Sequence, residues 1–427
     1  MFFLGLILAQ VATLSLADRT EARYIVTPGT PAEGSLGTHA EAATRPQAVL
    51  GLGWKHSTLE LGYGPALTLS PLERDSRVLT VFHTGYVTGS YWWGKTRLIV
   101  SETAGYGTQN FRVLALASQQ APTVPSSTGT PPASPTTPPL GTTNTPQMPA
   151  STGAGSAAIA RQAPDRVVRF ASSITSLALE HRTAPAVTVR GELSYLMSGA
   201  PDIADRDAFP IVRSPRALFS VRNRLGHADD VSGIISVQYS WATIADPLLG
   251  ETRTSVWISA VNALWAHRFS ANSASQLGVG LSGTRTPLIR DFVGYSIYPT
   301  FLASITNFSK LARGNLGLSL AASSAPVVDL TTAVADPRVG LNAILSWQRD
   351  KFSSNVSVNA LMSTAAPGSI GSLSAVGGTA SLGYGLSKAV SADAGVRMAY
   401  QAFEDKTVIP ISYAAFVGLT VGLRTPL

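Results

Sequence analysis

Cysteine is absent from this sequence, so disulfides, thiolate nucleophiles and cysteine metal sites are excluded. Charge is scarce: 13% of the 427 residues are charged, against 45% that are hydrophobic. Long apolar runs are missing as well. Only Met1 to Ala17 forms one, and no later window approaches the ~20 residues that a membrane-spanning helix needs. A mean hydropathy of +0.18 without such runs means that the apolar side chains are dispersed along the chain. The formal charge of +7 and the isoelectric point of 9.7 are spread thinly. No dense Lys/Arg cluster marks a nucleic-acid surface, so no nucleic-acid partner is expected.

The chemistry of sites is equally sparse. The six histidines are His39, His56, His83, His181, His227 and His267, and none falls in a His-x-x-x-His or His-Glu-x-x-His arrangement. No metal site is expected. The glycine stretches, such as Gly51-Leu52-Gly53, lack the strand-to-helix setting of a phosphate-binding loop, and no cofactor is expected. His267 has Ser270 close by, without a neighbouring carboxylate to orient it, so this pair is read as structural and no catalytic residue is assigned.

What is present is alternation. From Val376, every second residue reads Val376, Gly378, Ala380, Leu382, Tyr384, Leu386, while the residues between are glycine, serine and threonine. After Lys388 and Ala389 the pattern resumes as Ala392, Ala394, Val396, Met398, Tyr400, opposite Ser391, Asp393, Gly395, Arg397. An extended strand with this composition has one apolar face and one small, polar face. A soluble sheet sends long charged groups into water on its polar face. Gly, Ser and Thr there instead suit a strand with lipid outside and a hydrated lumen inside.

Taken in order, Met1 to Ala17 reads as a signal peptide without a charged start, closed by Ser15-Leu16-Ala17. Residues 18–46 are polar and turn-rich and read as a flexible N-terminal arm, with Tyr24 to Val26 at most a short strand. Alternation begins at Gln47 and carries a single β-barrel over 47–427. Trp92 and Trp93, read as lying in a turn over 89–94, fit an interfacial aromatic girdle or an ordinary core. Phe111 to Leu116 reads as one further strand. Residues 118–165 are dominated by Pro, Thr, Ser, Gly and Ala and read as a disordered insert, an external loop within the barrel.

About five strands precede the insert and about thirteen follow it, which predicts an all-β, transmembrane, antiparallel up-and-down barrel of about 18 strands (16–18). With the first strand at Gln47 running outward, the short connections at 348–352 and 387–389 fall on the inner side. Lys55 to Thr58 then becomes an oddly short outer turn. A barrel of this size encloses a lumen that side chains alone do not fill. On this register Arg190, Arg222, Arg224, Arg397, Glu60, Glu192 and Asp393 face that lumen. They read either as a selectivity-setting ring or as salt bridges bracing the wall.

With its signal-like start, its dyad strands such as Leu59-Glu60-Leu61-Gly62-Tyr63-Gly64 and its last strand up to Leu423, the sequence resembles Gram-negative outer-membrane β-barrel proteins of the porin type. The strand number also looks like the large barrels that accompany polysaccharide export. Members of the class usually close on an aromatic residue, whereas this sequence closes on Leu427. The resemblance implies an integral outer-membrane location, lipid contact and delivery by the barrel-assembly machinery. It implies a channel for polar solutes or a secreted polymer. The alternatives are an export conduit working with periplasmic export components, a display barrel using the insert as its exposed arm, and a soluble β-sandwich or propeller.

Overall fold

The computed structural model describes residues 11–26, 39–72, 76–110, 167–202, 206, 209–246, 250–287, 293–311, 314–328, 335–363, 373–403 and 408–426. Among them there are strands and turns and no helix. The strands are β1 (Val11–Val26), β2 (His39–Thr44), β3 (Gln47–Gly53), β4 (Ser57–Leu72), β5 (Ser76–Trp93), β6 (Thr96–Asn110) and β7 (Val167–Arg182). They continue as β8 (Val187–Gly199), β9 (Ile211–Arg224), β10 (Asp229–Asp246), β11 (Gly250–Ser270), β12 (Ser273–Pro287) and β13 (Val293–Leu311). The last are β14 (Gly314–Val328), β15 (Ala335–Arg349), β16 (Phe352–Ser363), β17 (Leu373–Gly385), β18 (Val390–Phe403) and β19 (Val408–Pro426).

Apart from β2 and β3, each strand pairs antiparallel with its chain neighbours, and β1 pairs with β19, which closes the sheet. β2 and β3 both lie between β1 and β4, end to end. Arg45-Pro46 separates them, because proline brings no N–H to the ladder. They are two halves of one strand, so the closed barrel has 18 strands.

The total is the one read from the sequence, but the first strand is not. Val11–Val26 is a full strand: Thr13 to Val26 pair with Pro426 to Tyr413 on β19, and Val11 to Ala17 pair with β3. The expected boundary after Ala17 therefore falls inside β1, and the expected arm over 18–46 contains β2 and the second half of β1, 18–26. The physical reason lies in alternation that spans the boundary. Thr20, Ala22 and Tyr24 point outward, while Glu21, Arg23 and Ile25 are buried on the other face. Polar, turn-rich composition with Pro28, Gly29, Pro31, Gly34 and Gly37 made this stretch read as an arm, whereas Glu21 and Arg23 are inward positions of a barrel strand. The strand expected at Phe111 to Leu116 and the insert over 118–165 lie outside the described residues.

Counting β1 also removes the parity anomaly. The connections at 54–56, 94–95, 183–186, 225–228, 271–272, 350–351 and 386–389 now share one end of the barrel, together with Val11 and Pro426. The other end carries connections that run from the three-residue links 73–75 and 247–249 to the longest at 111–166. The hairpin at 350–351 needs a left-handed residue, and Asp350 supplies it at φ 50°, the conformation that aspartate tolerates better than most side chains. Trp92 and Trp93 end β5 instead of forming a turn; the reversal is at Gly94 (φ 59°) and Lys95.

The outer surface is a band of Leu, Val, Ile, Phe, Tyr and Trp facing away from the barrel, including Leu193, Val261, Val279, Leu281, Val396 and Val417. Water would make so large an apolar surface untenable, whereas acyl chains cover it without cost. Aromatic groups edge the band. At the tight-turn end Tyr91 packs on Trp93 and Phe352 on Tyr384, with Trp265 and Phe269 on β11. Toward the other end Tyr239 packs on Trp257 at 4.5 Å and on Trp241 at 5.2 Å. Trp257 and Trp265 are eight positions apart on β11. At ~3.4 Å per residue and a strand tilt near 40°, that is roughly 20 Å along the membrane normal. Two aromatic girdles at such a separation frame a hydrocarbon layer. Trp92 faces inward beneath the Arg97 guanidinium (4.7 Å), so of the two neighbouring tryptophans only Trp93 belongs to the outer girdle.

Candidate functional site: the charged lumen wall

The inner face is built from small hydroxyl ladders with arginine and carboxylate groups set among them. Ser214 and Ser240 share a hydrogen bond at 2.7 Å, with Gln238 donating to both. Ser101 meets Ser176 and Thr58 meets Ser90, each at 2.7 Å across neighbouring strands. Such short side chains satisfy one another without filling the interior.

Glycines on this face leave room for larger neighbours. A side chain at Gly62 would overlap the ring of Tyr86, which lies across that backbone and donates its hydroxyl to Glu60 Oε1 at 2.7 Å. Glu60 is thus a lumen-side carboxylate fixed by a phenol, with no arginine among its hydrogen-bond partners within the described residues.

The densest charge lies where the barrel closes. Arg397 on β18 makes a two-pronged contact with Glu21 on β1: Nη1 donates to Oε1 at 2.8 Å and Nη2 to Oε2 at 3.0 Å. Arg23 Nε donates to Glu21 Oε1 at 2.6 Å, and Arg19 Nη2 donates to Asp393 Oδ2 at 2.7 Å while lying 3.4 Å from Glu21. Arg23 also approaches Glu41 at 4.0 Å, and the Arg397 guanidinium lies 4.1 Å from the centre of the Phe416 ring. Arg45, at the β2–β3 break, stands within electrostatic reach of Arg19, Glu21, Arg23 and Arg397. Side chains of Arg397 and Glu21 are only 2% and 4% exposed, so this seam is held by charges shielded from bulk water.

A second group lines β8 to β10. Arg190 Nη2 donates to Glu192 Oε2 at 2.6 Å, and Arg222 Nη2 donates to Asp230 Oδ2 at 2.8 Å. Arg224 lies 3.8 Å from Asp230 and is 56% exposed, and Arg216 occupies the same face opposite Ser194. In the ring of eighteen strands, β9 stands diametrically across from β18. The two groups therefore lie on opposite walls, Arg222, Arg224 and Asp230 next to the tight turns and the seam group further along its strands. One sets Arg19, Arg23, Arg45 and Arg397 against Glu21, Glu41 and Asp393; the other sets Arg190, Arg216, Arg222 and Arg224 against Glu192 and Asp230. Each has more cations than anions.

Of the residues singled out in the sequence, Arg397 and Asp393 belong to the seam, Arg190, Glu192, Arg222 and Arg224 to the opposite wall, and Glu60 to the Tyr86 contact. Sequence reasoning missed Arg19, Glu21, Arg23, Glu41 and Arg45, because 1–46 was assigned to a signal and an arm. The alternation Arg19, Glu21, Arg23 against Thr20, Ala22, Tyr24 was the signal available. His267 does find a carboxylate, with Nδ1 2.8 Å from Asp229 Oδ1, but the hydroxyl of Ser270 accepts the Asn272 N–H in the turn. Among the described residues no three His, Asp or Glu side chains converge as metal ligands would.

An apolar exterior closed around a polar interior defines a transmembrane β-barrel. Solved structures of similar architecture include the outer membrane protein OpdK of Pseudomonas aeruginosa (9% identity, 97% of this chain and 99% of that one, TM-score 0.45). OccAB4 of Acinetobacter baumannii is similar at 8% identity over 98% and 99% of the two chains, with a TM-score of 0.45. The FrpB iron transporter of Neisseria meningitidis is similar at 10% identity over 92% of this chain and 63% of its own, with a TM-score of 0.47. No family model and no curated protein matches the sequence. At such identities and TM-scores the likeness carries nothing about cargo, and the fold assignment rests on the strand pairing itself.

Proposed function

We propose that this chain is an integral outer-membrane channel that passes polar solutes by diffusion through a hydrated lumen and prefers anions. The observation that carries the reading is the excess of arginine over carboxylate in two groups on opposite inner walls of a closed barrel with an apolar exterior. Fixed cations lining a hydrated passage raise the local concentration of anions and lower that of cations. The bracing and selectivity roles are divided among the same residues. Arg397, buried against Glu21, holds the seam, while Arg224, more than half exposed, presents charge to a passing ion and the more shielded Arg222 is paired with Asp230. Tight turns and both described chain ends would face the periplasm, and the longer connections the exterior. Neither polymer export with periplasmic components nor surface display has a residue of the described wall in its favour.

The test is a planar-bilayer recording of the purified barrel under a salt gradient. The double variant Arg222→Glu with Arg224→Glu should shift the reversal potential toward cation preference, and unchanged selectivity would overturn the anion assignment. Deleting 118–165 adds a second reading: altered conductance would point to a gating segment, and lost surface attachment with intact conductance to display.

A further inference from the structure

Three arginines stand on the wrong face for a channel. Arg213 on β9, Arg253 on β11 and Arg285 on β12 belong to the outward rows, the same rows as Phe219, Val261 and Leu281. All three are exposed, and none has a carboxylate partner among the described residues. Arg169, another outward arginine at this end, differs in lying 3.9 Å from Asp202.

Their neighbours are aromatic. Arg213 sits directly across from Trp241 in the β9–β10 pairing, and the Arg253 guanidinium lies 5.2 Å from the Trp241 ring centre. Arg285 is paired with Trp257 on one side and Tyr295 on the other, 5.7 Å above the latter ring. The result is a continuous basic and aromatic strip over β9 to β13, spanning about 15–20 Å at ~4.8 Å per strand. It lies at the girdle away from the tight turns. Directly toward the membrane centre the same strands present Phe219, Val237, Val261, Val279, Leu281 and Ile297, all exposed.

Hydrocarbon would reject these cations, and a neutral headgroup would leave them without counter-charge. A guanidinium over a ring face is already partly desolvated and keeps N–H groups free for the oxygens of a phosphate. We infer that this strip is a docking site for a phosphate-bearing lipid of the outer leaflet, with the phosphates on Arg213, Arg253 and Arg285 and the acyl chains on the apolar rows beneath. The inference rests on the outer-membrane reading above, because that reading puts this end of the barrel in the outer leaflet. It assigns the arginines a role in anchoring and orienting the barrel, separate from conduction.

The experiment uses the full chain, refolded in detergent and titrated with purified lipopolysaccharide, with the same lipid stripped of its phosphates, and with inorganic phosphate. Readouts are lipid binding and the temperature at which the folded band is lost on an unheated gel. Wild type should bind the phosphorylated lipid at least tenfold more tightly than the stripped one, with a rise in that temperature. Inorganic phosphate alone should not reproduce the rise. Arg213→Gln with Arg253→Gln and Arg285→Gln should lose the tenfold preference, while the three Arg→Lys changes keep most of it and control for folding. Equal binding of stripped lipid, a full effect of inorganic phosphate, or an unaltered triple variant would each overturn the site. If the chain stays soluble without detergent, the membrane reading itself fails. If it inserts and conducts but shows no phosphate preference, only the lipid site fails.

Discussion

Arg397 and Glu21 are 376 positions apart in the chain and meet in a two-pronged contact at 2.8 and 3.0 Å, with both side chains almost fully shielded. The contact crosses the closing seam: Glu21 is on β1, and Arg397 is on β18, two strands away. Three guanidiniums share that one carboxylate, so its loss would leave buried cations facing one another.

Removing a single partner of such a pair is expected to destabilise the barrel by about 3–5 kcal/mol, mostly because the remaining charge stays buried and uncompensated. Glu21→Gln should therefore lower the temperature at which the folded band disappears on a gel. Glu21→Gln combined with Arg397→Met should recover part of the loss. A double variant no better than the single would show that the two residues are not coupled.

The Gly62–Tyr86 contact makes a packing prediction. A valine at 62 cannot coexist with the ring lying over that backbone, and overpacking of this kind costs ~1–3 kcal/mol. Gly62→Val should be destabilising alone and close to neutral beside Tyr86→Ala. The interaction energy from a four-variant urea-unfolding cycle measures the clash. An additive cycle would mean that the ring moves aside freely.

Strand β1 can be tested by the two faces of Val11–Ala17. Leu16 is outward, and an arginine on the lipid side of a barrel strand costs up to ~2–4 kcal/mol at the membrane midplane. Leu16→Arg should therefore destabilise the folded barrel, while Ser15→Asp on the opposite face should be tolerated. If both variants behave as wild type and N-terminal sequencing places the mature start after Ala17, this segment is a removed signal.

Selectivity should weaken with salt. Charges facing a wide, wet lumen are screened over ~10 Å at 0.1 M and ~3 Å at 1 M ionic strength. The anion-to-cation permeability ratio is therefore expected to fall toward the bulk value between those concentrations. A ratio independent of salt would place selection in a dry constriction and not in the two arginine-rich walls.

Much of the barrel was legible in the chain because a β-strand in a membrane writes its two solvents into alternate residues. Leu382, Tyr384 and Val396 on one row and Ser381, Gly383 and Arg397 on the other need no tertiary knowledge to be separated. The same rule sets the lumen-facing rows of β8 and β9. It was least legible over β1, where an apolar start runs into a polar continuation, so that residues the structure places in one strand read as two segments. It also mistook the end of β5 for a turn, since paired tryptophans carry no mark of which face each takes.

By itself, then, the sequence determined the fold class, the face of most strands and the excess of arginine over carboxylate, because these follow from period-two patterning and composition alone. Only the tertiary structure decided which strand closes the ring and which charges meet. Arg397 reaches Glu21, Arg19 reaches Asp393, and Arg213, Arg253 and Arg285 fall into one outward strip because closure aligns strands from distant parts of the chain. Local alternation says which way a side chain points; only the pairing of distant strands says what it points at.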